Sequence, residues 1–583
     1  MSVESGPTVW MSVAVAIAAV VIATLLGRLL LPESLRRRRE AWVLQVSLGT
    51  GALAAVCALE AALGVGFLRV GLLIPVAISL REARRWRMRL PRFLRHPLAI
   101  PVVGLLATAP LLAALAPPTD TDEIYQHLAV ARRIADTGGF SGGFDYPDGS
   151  RPQLLHALYA ALHAAGGFPA VRLVHLVLAA TLVLGGWQMA DERFGRGRGA
   201  VPALVLCLSY TFLHEAGLAY NDLPAALWLL LGAYLTREGT GLLAGIFLGL
   251  ALCAKFTAGP AVAMVVLLAG ARMWVVGPVA ALLLAPWLLR NVASGLHPLF
   301  PYAGWPEVEG FRFMYPEKYG VGHGWVDAML LPWNVLARAR LDTFAFYGQL
   351  AWGWAAVAFG ALWASWRDRK LRPWFAVLVV GFVTWGSTAQ IMRFLLPLSG
   401  VALMVGAGAR LRWVALALAL ASVPRNLGPI LDEAKAQFPV VAGRERADDY
   451  LSRQIPAWPA LAYLRDEVPR DARVALLFAW HGYYVEQDYI LGSVEDHTPT
   501  RRFVVSSGGD VVGALRARGV SYALVGDIKF LRKAYEFLPE REWRSQFVAV
   551  RDTLRGALER DATRLFAEKK WEVWRLDGAP PGD

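Results

Sequence analysis

The chain has 583 residues, of which 56% are hydrophobic and only 18% charged, and its mean hydropathy is +0.42. That is too little charge for a soluble enzyme of this size. The net charge of +13 would suit a nucleic-acid partner, but the basic residues gather in short loops between apolar runs, so the charge reports membrane topology and no nucleic acid is expected.

Repeated apolar runs long enough to cross a ~30 Å hydrocarbon layer predict a polytopic α-helical membrane protein with about fourteen transmembrane helices. The first run, Thr8 to Leu31, is followed by Arg36 to Arg39 and lacks a small-residue cleavage pattern, so it reads as a retained helix. The basic loops Arg36 to Arg39, Arg81 to Arg95, Arg193 to Arg198, Arg237, Arg272, Arg367 to Lys370 and Arg410 to Arg412 are assigned to the cytoplasm. Counting crossings between them places both termini outside. That parity requires two crossings within Ala41 to Leu80 and two short ones within Gly241 to Ala271. In the latter, Gly259 and Pro260 supply a break and put Lys255 at the outer surface. Cys57, Cys207 and Cys253 lie far apart in apolar runs and read as small core residues.

Two outer loops are long. Residues 117–168 carry Asp120, Asp122, Glu123, Tyr125 and His127, then a turn-rich GGFSGGFDYPDGSRP. Residues 291–341 are rich in Trp, Tyr, Pro and Gly, which suits a membrane interface. From about Asp432 charge rises and long apolar runs stop. Short β-like runs at Arg473 to Phe478, Arg502 to Ser506, Ser521 to Val525 and Trp571 to Leu576, with a helix-like stretch at Asp510 to Arg518, predict a small extracytoplasmic α/β domain. Three regions follow: 1–96 with extra transmembrane helices, 97–431 as the transmembrane domain with outer loops 117–168 and 291–341, and 432–583 as the soluble tail.

By this topology the unusual polar residues share one face. Asp122, Glu123 and His127 follow one crossing, and Asp222 in AGLAYNDLPAA opens another. Lys255 sits at a turn, Arg290 and Asn291 end PWLLRN, and Arg393 begins a further crossing in QIMRFLLP. Carboxylates and cations from distant segments at one surface suit an anionic substrate, with a carboxylate as base. Each also has a plainer reading. Asp122 can cap the helix that follows it, and Asp222 before Pro224 is ordinary helix-start chemistry. Glu123 and His127, four apart, can share a local hydrogen bond, a proton or a metal. Lys255 and Arg393 can snorkel to headgroups, and Arg290 can anchor the interface.

These motifs resemble the GT-C superfamily of polyprenyl-phosphate-sugar-dependent glycosyltransferases, in the branch of the protein O-mannosyltransferases and aminoarabinose transferases. That branch carries an aspartate followed by a Tyr-His pair in its first large outer loop. Here the stretch is Asp122, Glu123, Ile124, Tyr125, Gln126, His127, with Gln126 replacing the usual aromatic. AYND ending at Asp222, GLALCAKFT around Lys255, APWLLRN ending at Asn291 and RFLLPLSG from Arg393 follow in the family's order. DARVALLFAWHGYY (Asp471 to Tyr484) and GVSYALVGD (Gly519 to Asp527) resemble the family's tail. The match covers roughly Pro97 to Asp527.

The resemblance implies inverting transfer of a sugar from a polyprenyl-phosphate donor to a hydroxyl on a glycan, lipid or protein, at the outer face of the inner (plasma) membrane. Asp122, Glu123 and Asp222 are the implied catalytic carboxylates, with Asp122 as the base. Lys255, Arg290 and Arg393 would face the donor phosphate, and Tyr125, His127 and Asn291 would support the acceptor. No cofactor is required by these residues, and a divalent metal stays open, since Asp122, Glu123, His127 and Asp222 contain ligand atoms without a spacing that demands one. Membrane lipids are the remaining partner. Two other classes use many crossings and intramembrane charges: a lipid or glycan transporter, and a non-catalytic envelope assembly protein. No inverted repeat is visible, and the special residues lie at one surface rather than near the midplane.

Overall fold

The computed structural model describes residues 8–64, 92–341, 345–493, 497–568 and 570–576. The second crossing expected within Ala41 to Leu80, and most of the basic loop from Arg81 to Arg95, lie outside the described residues. The chain forms two compact units. One comprises Met1–Ala116, Pro152–Pro286 and Tyr319–Arg444, and the other Pro117–Arg151, Trp287–Lys318 and Glu445–Asp583.

The first unit is built from apolar helices. Among the described residues, four helices are long and apolar enough to cross a membrane: Val9–Leu30, Ala41–Ala62, Leu154–Phe194 and Gly270–Ala293. The pair Arg412–Ala421 and Val423–Val441, bent by 52°, makes a fifth if counted as one span. Shorter apolar helices include Gly241–Ala254 and Phe256–Leu268. At ~1.5 Å per residue neither covers a ~30 Å layer by itself. The helix Val9–Leu30 opens with Thr8 accepting the Met11 N–H and packs closely on Ala41–Ala62. A Cβ on Gly49 would stand 1.6 Å from the Ala23 carbonyl oxygen, and one on Gly27 would stand 1.9 Å from that of Gln45. Glycine is what permits this backbone approach, the usual device where helices associate in lipid. Helix Leu154–Phe194 bends at Gly167 (φ 69°), two residues before Pro169, so helix already begins inside the expected outer loop.

The second unit centres on a five-stranded sheet in the order β2-β1-β3-β5-β4, where β1 is Arg473–Leu477, β2 Asp488–Ile490, β3 Tyr522–Gly526, β4 Ala562–Glu568 and β5 Trp571–Leu576. β1 pairs in parallel with β2 and β3, while β5 runs antiparallel to β3 and β4. The strand expected at Arg502 to Ser506 is instead the end of a helix, Thr498–Ser506. Pro499 in the first turn presets helical φ, and Thr500, Phe503 and Val504 bury one helical face. Arg501 in the same helix is fully buried. It donates to the Gln546 side chain at 2.6 Å and to the Arg312 carbonyl at 3.2 Å. The expected helix at Asp510 to Arg518 is present as Val511–Arg516, capped by Asp510.

The segments Pro117–Arg151 and Trp287–Lys318 of this unit are both fastened to the sheet lobe. The Leu491 N–H donates to the Asp145 carbonyl at 2.8 Å, and the Tyr484 hydroxyl donates to that of Pro118 at 2.6 Å. Arg312 pairs with Glu317 at 2.6 Å and with Glu542.

Candidate functional site

In the first unit, Asp222 and Lys255 stand at the open end of a helical hairpin. Asp222–Glu238 leads through Gly239, in the left-handed region at φ 85°, into Gly241–Ala254. The two helices pack tightly, since a Cβ on Gly232 would stand 2.5 Å from Leu248. An antiparallel hairpin brings its first residue beside the residue after its last, and so joins positions 33 apart. Lys255 Nζ lies 2.8 Å from Asp222 Oδ2. The carboxylate is fully buried and the ammonium nearly so. Lys255 is where the helix breaks: its φ of −150° is extended, a 3-10 turn follows over Phe256–Ala258, and the α-helix resumes at Gly259 with Pro260 in its first turn.

Arg393 joins this pair through aromatic rings. Its guanidinium lies 5.2 Å from the Phe394 ring centre and 5.4 Å from that of Tyr220, and Nη1 donates to the Tyr220 hydroxyl at 3.2 Å. Lys255 Nζ lies 5.2 Å from the same Phe394 ring. Tyr220 is itself fixed, because its carbonyl accepts the Tyr159 hydroxyl at 2.8 Å. The group thus brings one carboxylate and two cations together around two aromatic rings. Tyr220 and Phe394 belong to the AYND and RFLLP motifs but are not charged residues, so a search for charge passes over them.

In the second unit, the acidic cluster opens a helix. Asp120 Oδ1 accepts the backbone N–H of Asp122 at 3.1 Å and of Glu123 at 3.4 Å. Asp120, not Asp122, therefore caps this helix. Residues Glu123–His127 form a π-helical turn closed by the Leu128 N–H on the Glu123 carbonyl. Such turns insert one residue and are frequent at functional sites. Glu123, Tyr125 and His127 are buried, while Asp122 is half-buried. The Tyr125 hydroxyl donates to Gln126 Oε1 at 3.3 Å, so the residue that departs from the family pattern holds Tyr125. The helix Leu128–Thr137 that follows is clamped by Arg133, which donates to the Tyr489 carbonyl at 2.8 Å, pairs with Asp488 at 2.7 Å and lies 4.3 Å from the Tyr146 ring centre.

Arg290 and Asn291 grip the turn at residues 149–151. Arg290 Nη2 donates to the Gly149 carbonyl at 2.8 Å and to that of Arg151 at 3.3 Å. Asn291 Nδ2 faces the carbonyls of Ser150, Pro298 and Phe300 at 3.0, 3.1 and 3.2 Å. Asp148 and Arg151 within this turn pair at 3.1 Å. Asp122, Glu123, Tyr125, His127, Arg290 and Asn291 thus belong to one unit, and Asp222, Lys255 and Arg393 to the other. Among the described residues, no three His, Cys, Asp or Glu side chains are gathered to hold a metal ion.

No protein-family model matches the chain, and no curated protein matches it in sequence. Among solved structures it is similar to ArnT from Cupriavidus metallidurans bound to undecaprenyl phosphate, at 13% identity and TM-score 0.49 over 83% of this chain and 99% of that one. It is also similar to the Archaeoglobus fulgidus oligosaccharyltransferase, at 12% identity and TM-score 0.44 over 73% and 70% of the two chains. A third is the arabinofuranosyltransferase AftD from Mycobacteria, at 16% identity and TM-score 0.41 over 82% of this chain and 40% of that one.

Proposed function

We propose that this protein is a membrane glycosyltransferase that moves a sugar from a polyprenyl-phosphate donor to a hydroxyl acceptor, with inversion, on the outer face of the membrane. The observation that carries this reading is the gathering of Lys255, Asp222 and Arg393 around the Phe394 and Tyr220 rings. That group suits a lipid phosphate, and the donor class follows from the resemblance in sequence.

In this reading Asp122 takes the proton of the acceptor hydroxyl. The oxygen attacks the anomeric carbon as the bond to the phosphate oxygen breaks. The lipid phosphate leaves with the electron pair, and the proton stays on the carboxylate. Lys255 and Arg393 face charge that grows as the phosphate departs, so they favour the transition state over the ground state. Asp222 orients Lys255 within a dry environment. Arg290 and Asn291 hold the turn at residues 149–151. Asp120 supplies the capping bonds of the helix that carries Asp122.

The test is glycan and lipid profiling of native membranes from a deletion strain complemented with wild type or Asp122→Asn. Wild type should restore a sugar that the deletion loses. Asp122→Asn should express normally yet fall by about 10²–10⁴-fold in transfer, the range for a positioned base. A deletion that changes no glycan or lipid overturns the glycosyltransferase reading. Near-normal transfer by a well-expressed Asp122→Asn moves the base to another carboxylate, with Asp222 next in line.

A further inference from the structure

The helix Trp325–Ala337 shows a face that its own fold leaves uncovered. Trp325, Met329 and Trp333 recur every four residues and are 77%, 73% and 69% exposed. Val326 and Leu330 extend the same exposed arc. At about 100° per residue, these five cover about 140° of the helix surface. The opposite arc, Leu331, Asn334 and Val335, is buried. Leu331 and Val335 pack into a core with Ala339, Phe346, Trp385 and Met392, against which Phe394 also rests. Arg425 holds the C-terminal end of the helix, donating to the Leu336 carbonyl at 2.7 Å and to that of Ala339 just beyond it. Arg338 and Arg340, just beyond, are exposed.

We infer that this helix lies in the plane of the membrane interface and selects anionic lipids, its apolar arc in the acyl boundary and Arg338 and Arg340 on the headgroups. Thirteen residues span about 20 Å, short of a crossing. An apolar arc with tryptophans at both ends, followed by exposed arginines, is the pattern of an interfacial helix drawn to negative charge. The Phe394 ring, which touches this helix's core on one side and the Lys255 and Arg393 cations on the other, makes the packing continuous from the lipid-facing helix to the polar group. The inference does not depend on glycosyl transfer.

The test places a bimane label at Met329→Cys in the full chain, whose natural cysteines among the described residues are all buried. The protein is reconstituted in nanodiscs of phosphatidylcholine and phosphatidylglycerol, with one or the other brominated. Both brominated lipids should quench the label, and phosphatidylglycerol should associate several-fold more strongly, up to about 25-fold for two arginines. Arg338→Gln with Arg340→Gln should reduce that ratio to about one, while Lys at both positions should keep it. High salt should abolish the preference without any charge substitution, which separates lost recognition from misfolding. A label that no brominated lipid quenches, as when water or a protein partner covers the face, overturns the inference. So does equal quenching by the two lipids at low salt, or a preference that survives the glutamine pair.

Discussion

Asp222 and Lys255 form a buried ion pair whose partners depend on each other. Removing one partner of such a pair strands the other charge and costs about 3–5 kcal/mol, whereas replacing both with apolar groups is often tolerated. Asp222→Asn should therefore lower the thermal midpoint of the purified protein clearly. Adding Lys255→Met to Asp222→Asn should recover part of the loss. A double-mutant cycle by thermal unfolding in detergent measures the coupling, and additive effects would show that the pair contributes nothing of its own. Asp122 differs in this respect, because the neighbouring Asp120 takes the capping bonds and the half-buried Asp122 carboxylate is left without that structural task.

At the scale of elements, Asn291 joins three carbonyls from two stretches of chain, Ser150 on one side and Pro298 and Phe300 on the other. Its amide ties the end of helix Met273–Ala293 to the turn at residues 147–150. Asn291→Ala leaves those carbonyls to water or to nothing, at about 1–3 kcal/mol for each that stays buried. Faster amide exchange should appear in residues 147–151 and 298–302, with little change in the sheet. Unchanged exchange in those stretches would show that Arg290 alone suffices. The helical hairpin is held differently, by close packing across Gly232, and the ion pair at its mouth adds specificity to a contact that packing has already made.

For the molecule as a whole, the sheet lobe should carry a marked sensitivity to acid. His481 and His497 are both buried there, and burial holds each imidazole at about 3, with Lys318 and Arg501 nearby adding to the effect at His497. An unfolded chain protonates these imidazoles near 6.5, so it binds more protons than the native lobe below that pH. Their contribution to stability is complete above about 6.5 and is lost as pH falls toward about 3. Thermal unfolding from pH 7.5 to 4 should show a falling midpoint, and His497→Asn should flatten the curve. Asparagine tolerates the left-handed backbone at that position, where φ is 48°. An identical slope in the variant would remove His497 from the account. Topology is tested on the same lobe: Ser506→Cys, at an exposed position, should react with a membrane-impermeant maleimide in intact cells stripped of any outer barrier. Reaction only after inner-membrane permeabilisation would reverse the assigned side.

Local pattern in the sequence determined much of this protein. Apolar runs mark the helices, and Lys255 followed by Gly259 and Pro260 marks a break because those residues constrain the backbone by themselves. β1, β3 and β5 were legible as short apolar, β-branched or aromatic runs. The charged edge strand β4 and the three-residue β2 were not, since an edge strand needs no apolar alternation and three residues show no period. The Thr498–Ser506 helix was hidden for a related reason: its valines suit a strand, and only burial of one helical face against the rest of the lobe outweighs that preference. The polar residues were recognisable as unusual one by one, because charge beside apolar runs is costly wherever it falls. Their partners were not. That Asp222 meets Lys255, that Asp120 caps the helix bearing Asp122, and that Arg290 and Asn291 hold a turn 140 residues earlier in the chain all depend on hairpin geometry and on which carbonyls remain to be satisfied. Those are long-range facts, and only the tertiary structure decides them.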